Sequence, residues 1–378
     1  MRKRIIAVLL AAVLCFLWPA PGVKAIADEE LSAPSAILME AETGSILYEK
    51  ASHEVRPCAS ITKVMTLLLT MEAIDSGKIA LTDEVAASAH AASMGGSDIW
   101  LKEGEVMSVD DLIKATVVMS ANDAAVVLAE HVAGTEDEFV GMMNARAKEL
   151  GMADTVFKNC NGLDEEGHLT SAHDVAVMSR ELIRHEKIFD YTTIWIDEVR
   201  GGQTQLVNTN KLIKTYPGIT GLKTGTTSAA GSCISATAER GGLKLIAVVL
   251  GCPSTKDRFA DAAALLDYGF AGWTVTEPET PELVPVPVKN GMQTEVEIEA
   301  EAALPMLVKK GSESEVTCEV SISELLEAPV EMGQEAGVLT YTLDGEVLQI
   351  RKVLTKAAVE KITLPSALTV LLEELLRF

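Results

Sequence analysis

Cysteine is scarce in this chain and placed where it supports little chemistry. Six occur among 378 residues, with no CxxC spacing. Cys15 sits in an apolar leader, and the others (Cys58, Cys160, Cys233, Cys252 and Cys318) are an odd, scattered set. That pattern provides neither a disulfide framework nor a zinc site. These thiols are expected to serve mostly as small buried hydrophobes; Cys233 and Cys252 are the one pair that adjacent strands would bring together. Basic residues are also short: 32 Lys and Arg stand against 55 Asp and Glu, a net charge of −23. Such a surface repels nucleic acid and anionic lipid and favours solubility. No solenoid-type repeat is found, and no metal-ligand cluster. His168 and His173 lie five apart without further His or Cys partners, so neither a metal nor another cofactor is expected. The acidic run Asp164-Glu165-Glu166 reads as a solvated turn. Composition also argues against general disorder, because 48% of the residues are apolar. At this length two domains are expected.

Long hydrophobic runs are missing too. The apolar stretch Ile5 to Trp18 has fourteen residues, short for a membrane span. It follows Arg2, Lys3 and Arg4, and it is broken by Pro19 and Gly22 before the small-x-small site Ala25-Ile26-Ala27. Residues 1–27 therefore read as a signal peptide and the protein as exported, with an uncleaved anchor as the rival reading. Removing Arg2, Lys3, Arg4 and Lys24 with the leader takes the net charge from −23 to −27.

Beyond the leader the hydrophobic patterning changes period several times. Ala36 to Tyr48 reads as a hairpin around Glu42-Thr43-Gly44. From Ser60 to Ile74 the pattern is helical, with Val64, Leu67, Leu68 and Met71 on one face. Ser108 and Asp111 cap a helix through Met119; further helices are expected over Ala124 to Val132, Glu136 to Leu150 and Ser171 to His185. Cys233 to Ala238 and Leu243 to Gly251 read as buried strands joined at Gly241-Gly242, followed by a helix from Asp257 to Tyr268. Strands, then helices, then strands and a helix suit a mixed α and β fold, an antiparallel sheet covered by helices. Four prolines and three glutamates mark residues 274–287 as a linker, which leaves a larger mixed domain at 28–273. Residues 288–362 alternate apolar and polar like a small β-rich domain. Residues 363–378 form an amphipathic helix with Leu368, Leu371, Leu372, Leu375 and Leu376 on one face, either a membrane-surface anchor or a helix packed on its own domain.

Three short motifs carry chemistry: Ser60-Ile61-Thr62-Lys63, Ser120-Ala121-Asn122 and Lys223-Thr224-Gly225. A serine hydroxyl is a weak nucleophile that needs an adjacent base. On a helix, residues i and i+3 share a face, so Lys63 Nζ can reach Ser60 Oγ. Lysine works as a base once its pKa falls, through burial or a nearby positive charge such as Lys223. Ser120 is a candidate proton relay to a leaving amine; Asn122 would orient Lys63 or a substrate amide. Lys223 and Thr224 suit a carboxylate, and Gly225 gives an extended peptide room to approach the strand. The amides of Ser60 and Thr226 are candidate oxyanion donors.

Any one of these motifs is weak evidence. All three in the order S-x-x-K, S-x-N, K-T-G, behind an export signal, are strong, and the set is the one known from β-lactamases and penicillin-binding proteins. The chain resembles the low-molecular-mass penicillin-binding proteins of the D-alanyl-D-alanine carboxypeptidase family, most clearly from Ala33 to Trp273. Asn161-Gly162-Leu163-Asp164, Ser171-Ala172-His173-Asp174 and Gly221-Leu222 ahead of the third motif add to the likeness. The resemblance implies a β-lactamase/transpeptidase-like domain, a smaller β domain and a C-terminal amphipathic anchor. It also implies peptidoglycan stem peptides as substrates and β-lactams as acylating inhibitors. Two features depart from the pattern: Thr226 stands where some members have His, and Asn208-Thr209-Asn210 where some place Arg. The rival functions are a β-lactamase, a D,D-endopeptidase and a non-catalytic wall-binding module.

Overall fold

The computed structural model describes residues 26–376. The leader reading falls outside them except at Ile26 and Ala27. The chain divides into two compact units, with the boundary between Gly272 and Trp273.

The first unit is built on five antiparallel strands. Strands β1 (Ser35–Glu40) and β2 (Ile46–Lys50) form the expected hairpin. A 3-10 turn over Ala59–Thr62 leads into helix α1 (Lys63–Asp75). Helices α2 (Val109–Val118), α3 (Asn122–Ala133), α4 (Glu136–Glu149) and α5 (Ala172–Leu182) follow. The Ser108 and Ser171 hydroxyls accept the N–H of Asp111 and Asp174 and so cap α2 and α5. Strands β3 (Ile219–Thr227), β4 (Gly231–Arg240) and β5 (Leu243–Cys252) and helix α6 (Thr255–Gly272) complete the unit.

The sheet order is β2-β1-β5-β4-β3, which leaves β3 at an edge. Register sorts the two faces. Ile37, Val248 and Ser235 align on one, where Ser235 Oγ meets Ser179 Oγ of α5 at 2.8 Å. Leu38, Ala247 and Ala236 align on the other, where α6 lays Gly269 against Leu38 and Leu245. Burial on both faces accounts for the unbroken apolar runs in β1 and β5. The main core lies on the α5 side, where Ile37, Met39, Ile246 and Val248 meet Val64, Leu67, Leu68 and Met71 of α1. Each such side chain contributes roughly 1.5–3 kcal/mol by leaving water.

Cysteine placement follows the sequence reading, while strands occupy both ends of the stretch read as linker. Cys233 and Cys252 do lie on adjacent strands but carry free thiols. Cys252 registers with Ser232, and Cys233 falls at a bulge, where its sulfur accepts the Gly251 N–H at 3.4 Å. Cys58 and Cys160 are buried as expected, whereas Cys318 is exposed. The stretch read as linker at 274–287 is largely structured at its ends. Trp273–Thr276 pairs with Met306–Lys309, and Val286–Lys289 is a strand. Pro278, Pro281 and Pro285 fall between these strands, and Pro287 lies within the second, opposite Glu295.

The second unit is β-rich. Val286–Lys289 lies between Glu295–Val296 and Leu326–Glu327. A four-stranded antiparallel sheet runs Ile298–Ala300, Glu346–Thr355, Glu335–Leu343, Thr317–Ile322. Val286, Ile298, Leu339, Tyr341 and Val353 form its core. The chain closes with helix Leu364–Leu376, on which Leu364, Leu368 and Leu372 are exposed. No helix among the described residues is long and apolar enough to cross a membrane.

Candidate active site

Ser60 sits in the 3-10 turn rather than in the α-helix proper. In that geometry side chains at i and i+3 eclipse, and Lys63 Nζ donates to Ser60 Oγ at 3.1 Å. The turn is entered through Ala59 at φ 51°, a left-handed value for a residue with a Cβ. Lys63 is fully buried at 0% exposure. Its ammonium also donates to Asn122 Oδ1 and to the Asn161 carbonyl, both at 2.6 Å. Burial brings its pKa down to about 7, against the upward pull of Cys160, Asp98, Asp123 and Cys58. A lysine near neutrality is free to take a proton at physiological pH.

The second motif bridges α2 and α3. Ser120 holds a left-handed φ of 65°. Asn122 opens α3; its N–H donates to Ser97 O and its Nδ2 to Gly95 O, both at 2.6 Å. Its remaining acceptor, Oδ1, is thereby aimed at Lys63.

The third motif lies on edge strand β3. Lys223 pairs with Ser235 and Gly225 with Cys233, so both face the α5 side of the sheet. Lys223 is 1% exposed, and its Nζ donates to Ser120 Oγ at 2.8 Å and to Thr224 O at 2.9 Å. Its pKa is held well below the ordinary lysine value by burial, then by the charges of Lys63 and Arg258. The sequence suggested that Lys223 would depress Lys63. In the structure burial is the largest cause of that depression. Thr224 Oγ1 shares a hydrogen bond with Thr209 Oγ1 at 2.7 Å. Gly225 lies so close to the 3-10 turn that a Cβ there would sit 2.7 Å from Cys58 O and 2.9 Å from Ser60 N. Thr226 Oγ1 donates to Gly225 O at 2.8 Å.

All eight sequence-chosen residues therefore converge on one edge of the sheet. Four contributors were not among them. Asn161 supplies a backbone carbonyl to Lys63, and its neighbour Gly162, at φ 83°, packs against Ala59. His168 Nδ1 accepts the Lys158 N–H at 3.1 Å, so Nε2 carries the proton and donates to Thr62 Oγ1 at 2.7 Å. Burial pushes that imidazole down to about 4, so the residue set aside as a weak metal candidate instead pins the turn bearing Ser60. Arg258 of α6 reaches the Gly225 carbonyl at 3.0 Å. A cavity of about 310 Å³ opens beside this loop, lined by Ala59, Leu163, Asp164, Glu165 and Glu166 among others.

The family profile described as D-alanyl-D-alanine carboxypeptidase matches residues 22–254, and that of the penicillin-binding protein 5 C-terminal domain matches residues 280–361. The chain is 42% identical to the D-alanyl-D-alanine carboxypeptidase DacF of Bacillus subtilis, over 95% of each sequence. Among solved structures it resembles penicillin-binding protein 5 of Haemophilus influenzae, with TM-score 0.76, 29% identity, and coverage of 89% of this chain and 100% of that one. It also resembles penicillin-binding protein D2 of Listeria monocytogenes in its ampicillin-bound form, with TM-score 0.59, 34% identity, and coverage of 65% and 100%. The chain belongs to the D-alanyl-D-alanine carboxypeptidase family, the serine-type hydrolases of the cell wall.

Proposed function

We propose that Ser60 is the nucleophile through which this carboxypeptidase removes the last D-alanine from peptidoglycan stem peptides. The observation that carries this reading is the short network Ser60 Oγ, Lys63 Nζ, Asn122 Oδ1, in which a buried lysine brought near pH 7 touches an accessible hydroxyl. Neutral Lys63 takes the Ser60 proton as Oγ attacks the penultimate D-Ala carbonyl. The amides of Ser60 and Thr226 stabilise the oxyanion. Ser120, whose oxygen accepts from Lys223, turns its own O–H toward the leaving nitrogen and is reloaded by Lys223 as D-alanine departs. In hydrolysis Lys63 returns its proton to Ser60 Oγ, and the proton lost by the attacking water passes through Ser120 to recharge Lys223.

The substrate backbone adds to the free edge of β3, and Thr224 and the Lys223 charge favour its C-terminal carboxylate. β-Lactams enter by the same attack and leave Ser60 acylated. The leader reading and the exposed leucines of Leu364–Leu376 support action outside the cytoplasm, with the final helix resting on the outer face of the membrane. Release of D-alanine from a diacetyl-L-lysyl-D-alanyl-D-alanine peptide, lost in Ser60→Ala, tests the assignment; release undiminished in that variant would overturn it.

A further inference from the structure

Arg258 is an expensive residue for this fold to keep. It is 5% exposed on α6, no carboxylate among the described residues pairs with it, and its Nε is buried without a partner. Burying a cation without a counter-charge costs several kcal/mol, so its remaining contacts are informative. Nη1 donates to Gly225 O at 3.0 Å, to Thr226 Oγ1 at 2.8 Å and, weakly, to Cys233 O at 3.4 Å. The first two acceptors flank one peptide group, Gly225–Thr226, and the N–H of that group is the second oxyanion donor in the reading above.

We propose that Arg258 is a positioning residue that acts through the Gly225–Thr226 peptide, fixing its plane and strengthening Thr226 N–H as an oxyanion donor. A trans peptide points its C=O and N–H in opposite directions. A guanidinium holding the carbonyl from the α6 side therefore aims the N–H away from itself. Withdrawing electron density at the oxygen also polarises the amide, as hydrogen bonds in a chain reinforce one another. Gly225 keeps the same peptide within contact of the Ser60 amide, because no Cβ intervenes. Arg258 thus presses on the oxyanion site from behind the sheet without touching substrate. The same charge contributes to the low pKa of Lys223.

The inference rests on Ser60 as nucleophile and Thr226 N–H as donor, and the test separates the two levels. Full-length wild type, Arg258→Gln and Arg258→Lys would be compared on the diacetyl-L-lysyl-D-alanyl-D-alanine peptide. Each would also be acylated with penicillin carrying a 13C-labelled β-lactam carbonyl, for infrared spectroscopy. A donor weakened rather than removed is expected to lower kcat for Arg258→Gln about tenfold to a hundredfold with KM within about twofold. Its acyl carbonyl stretch should move to higher wavenumber, and Arg258→Lys should recover part of both because it keeps a charged donor. If Arg258→Gln does not fold, Arg258→Lys alone should show the smaller loss and shift. An unchanged stretch, a lower melting temperature at unchanged kcat, or a raised KM at unchanged kcat would overturn the proposal. The last would make Arg258 a carboxylate anchor instead. Wild type that forms no ester at Ser60 would bring down the underlying reading rather than the role of Arg258.

Discussion

Lys63 Nζ and Asn122 Oδ1 lie 2.6 Å apart although 59 positions separate the residues. This contact ties the first motif to the second. It matters electrically because a neutral amide oxygen solvates the ammonium without the strong upward pull on pKa that a carboxylate would exert. Lys63 therefore stays near 7. The rising limb of kcat/KM against pH should fall near 7, and Asn122→Asp should move it up by about one pH unit or more. Lys63→Ala should lower kcat/KM by about 10²–10⁴-fold. A limb that stays in place in Asn122→Asp would separate it from Lys63.

Close backbone approach makes two glycines sensitive. Gly225→Ala places a methyl 2.9 Å from Ser60 N, so the edge strand must back away and acylation should fall by at least about tenfold with modest loss of stability. Gly162→Ala meets Ala59 O at 2.0 Å and also carries φ 83°. It should cost roughly 2–3 kcal/mol of folding free energy, read from urea denaturation. Equal stability in Gly162→Ala would contradict this packing.

His168 predicts a pH dependence of stability whose sign follows from its burial. Its folded value is about 4 against an ordinary 6.5. Between these the unfolded chain binds a proton that the folded chain refuses. Stability from this residue is complete above pH 6.5 and declines as pH falls toward 4, by about 3 kcal/mol in all. Denaturation at pH 7 and pH 4.5 should show that decline in wild type and a smaller one in His168→Gln. Equal slopes would argue that His168 is charged in the fold.

Much of this site is legible in the sequence because its chemistry is local or type-specific. Ser60 and Lys63 are an i, i+3 pair, and Lys223-Thr224-Gly225 sits where strand patterning begins. The hairpin at Ala36 to Tyr48 and the Ser108 and Ser171 caps are read from neighbouring residues for the same reason. The Asn161-Gly162-Leu163-Asp164 likeness brings Asn161 to notice but not its role, because it offers Lys63 a backbone carbonyl, which every residue possesses. Arg258 meets Gly225 across 33 positions, a contact made only by the packing of α6 on the sheet. The small hairpins Glu84–Ala86 with Val106–Ser108 and Ile196–Val199 with Thr204–Val207 are short and largely exposed. Each strand has only three or four residues, too short a run for alternation to make a strand readable.

The exposed face of the terminal helix yields a separate expectation. Leu364, Leu368 and Leu372 are open to solvent, and burying each in lipid gains roughly 1.5–3 kcal/mol. The protein should co-sediment with phosphatidylcholine vesicles, and Leu368→Glu with Leu372→Glu should abolish this without changing D-alanine release. Sedimentation that survives the double substitution would assign membrane contact elsewhere.

The most direct test of Ser60 as nucleophile is intact-protein mass spectrometry after exposure to penicillin, followed over time with Ser60→Ala as control. The expected result is a long-lived adduct of one penicillin per chain, mapped to Ser60 and absent from the variant. Rapid penicillin turnover with no lasting adduct would point to a β-lactamase, and neither adduct nor turnover would contradict the acyl-enzyme mechanism altogether.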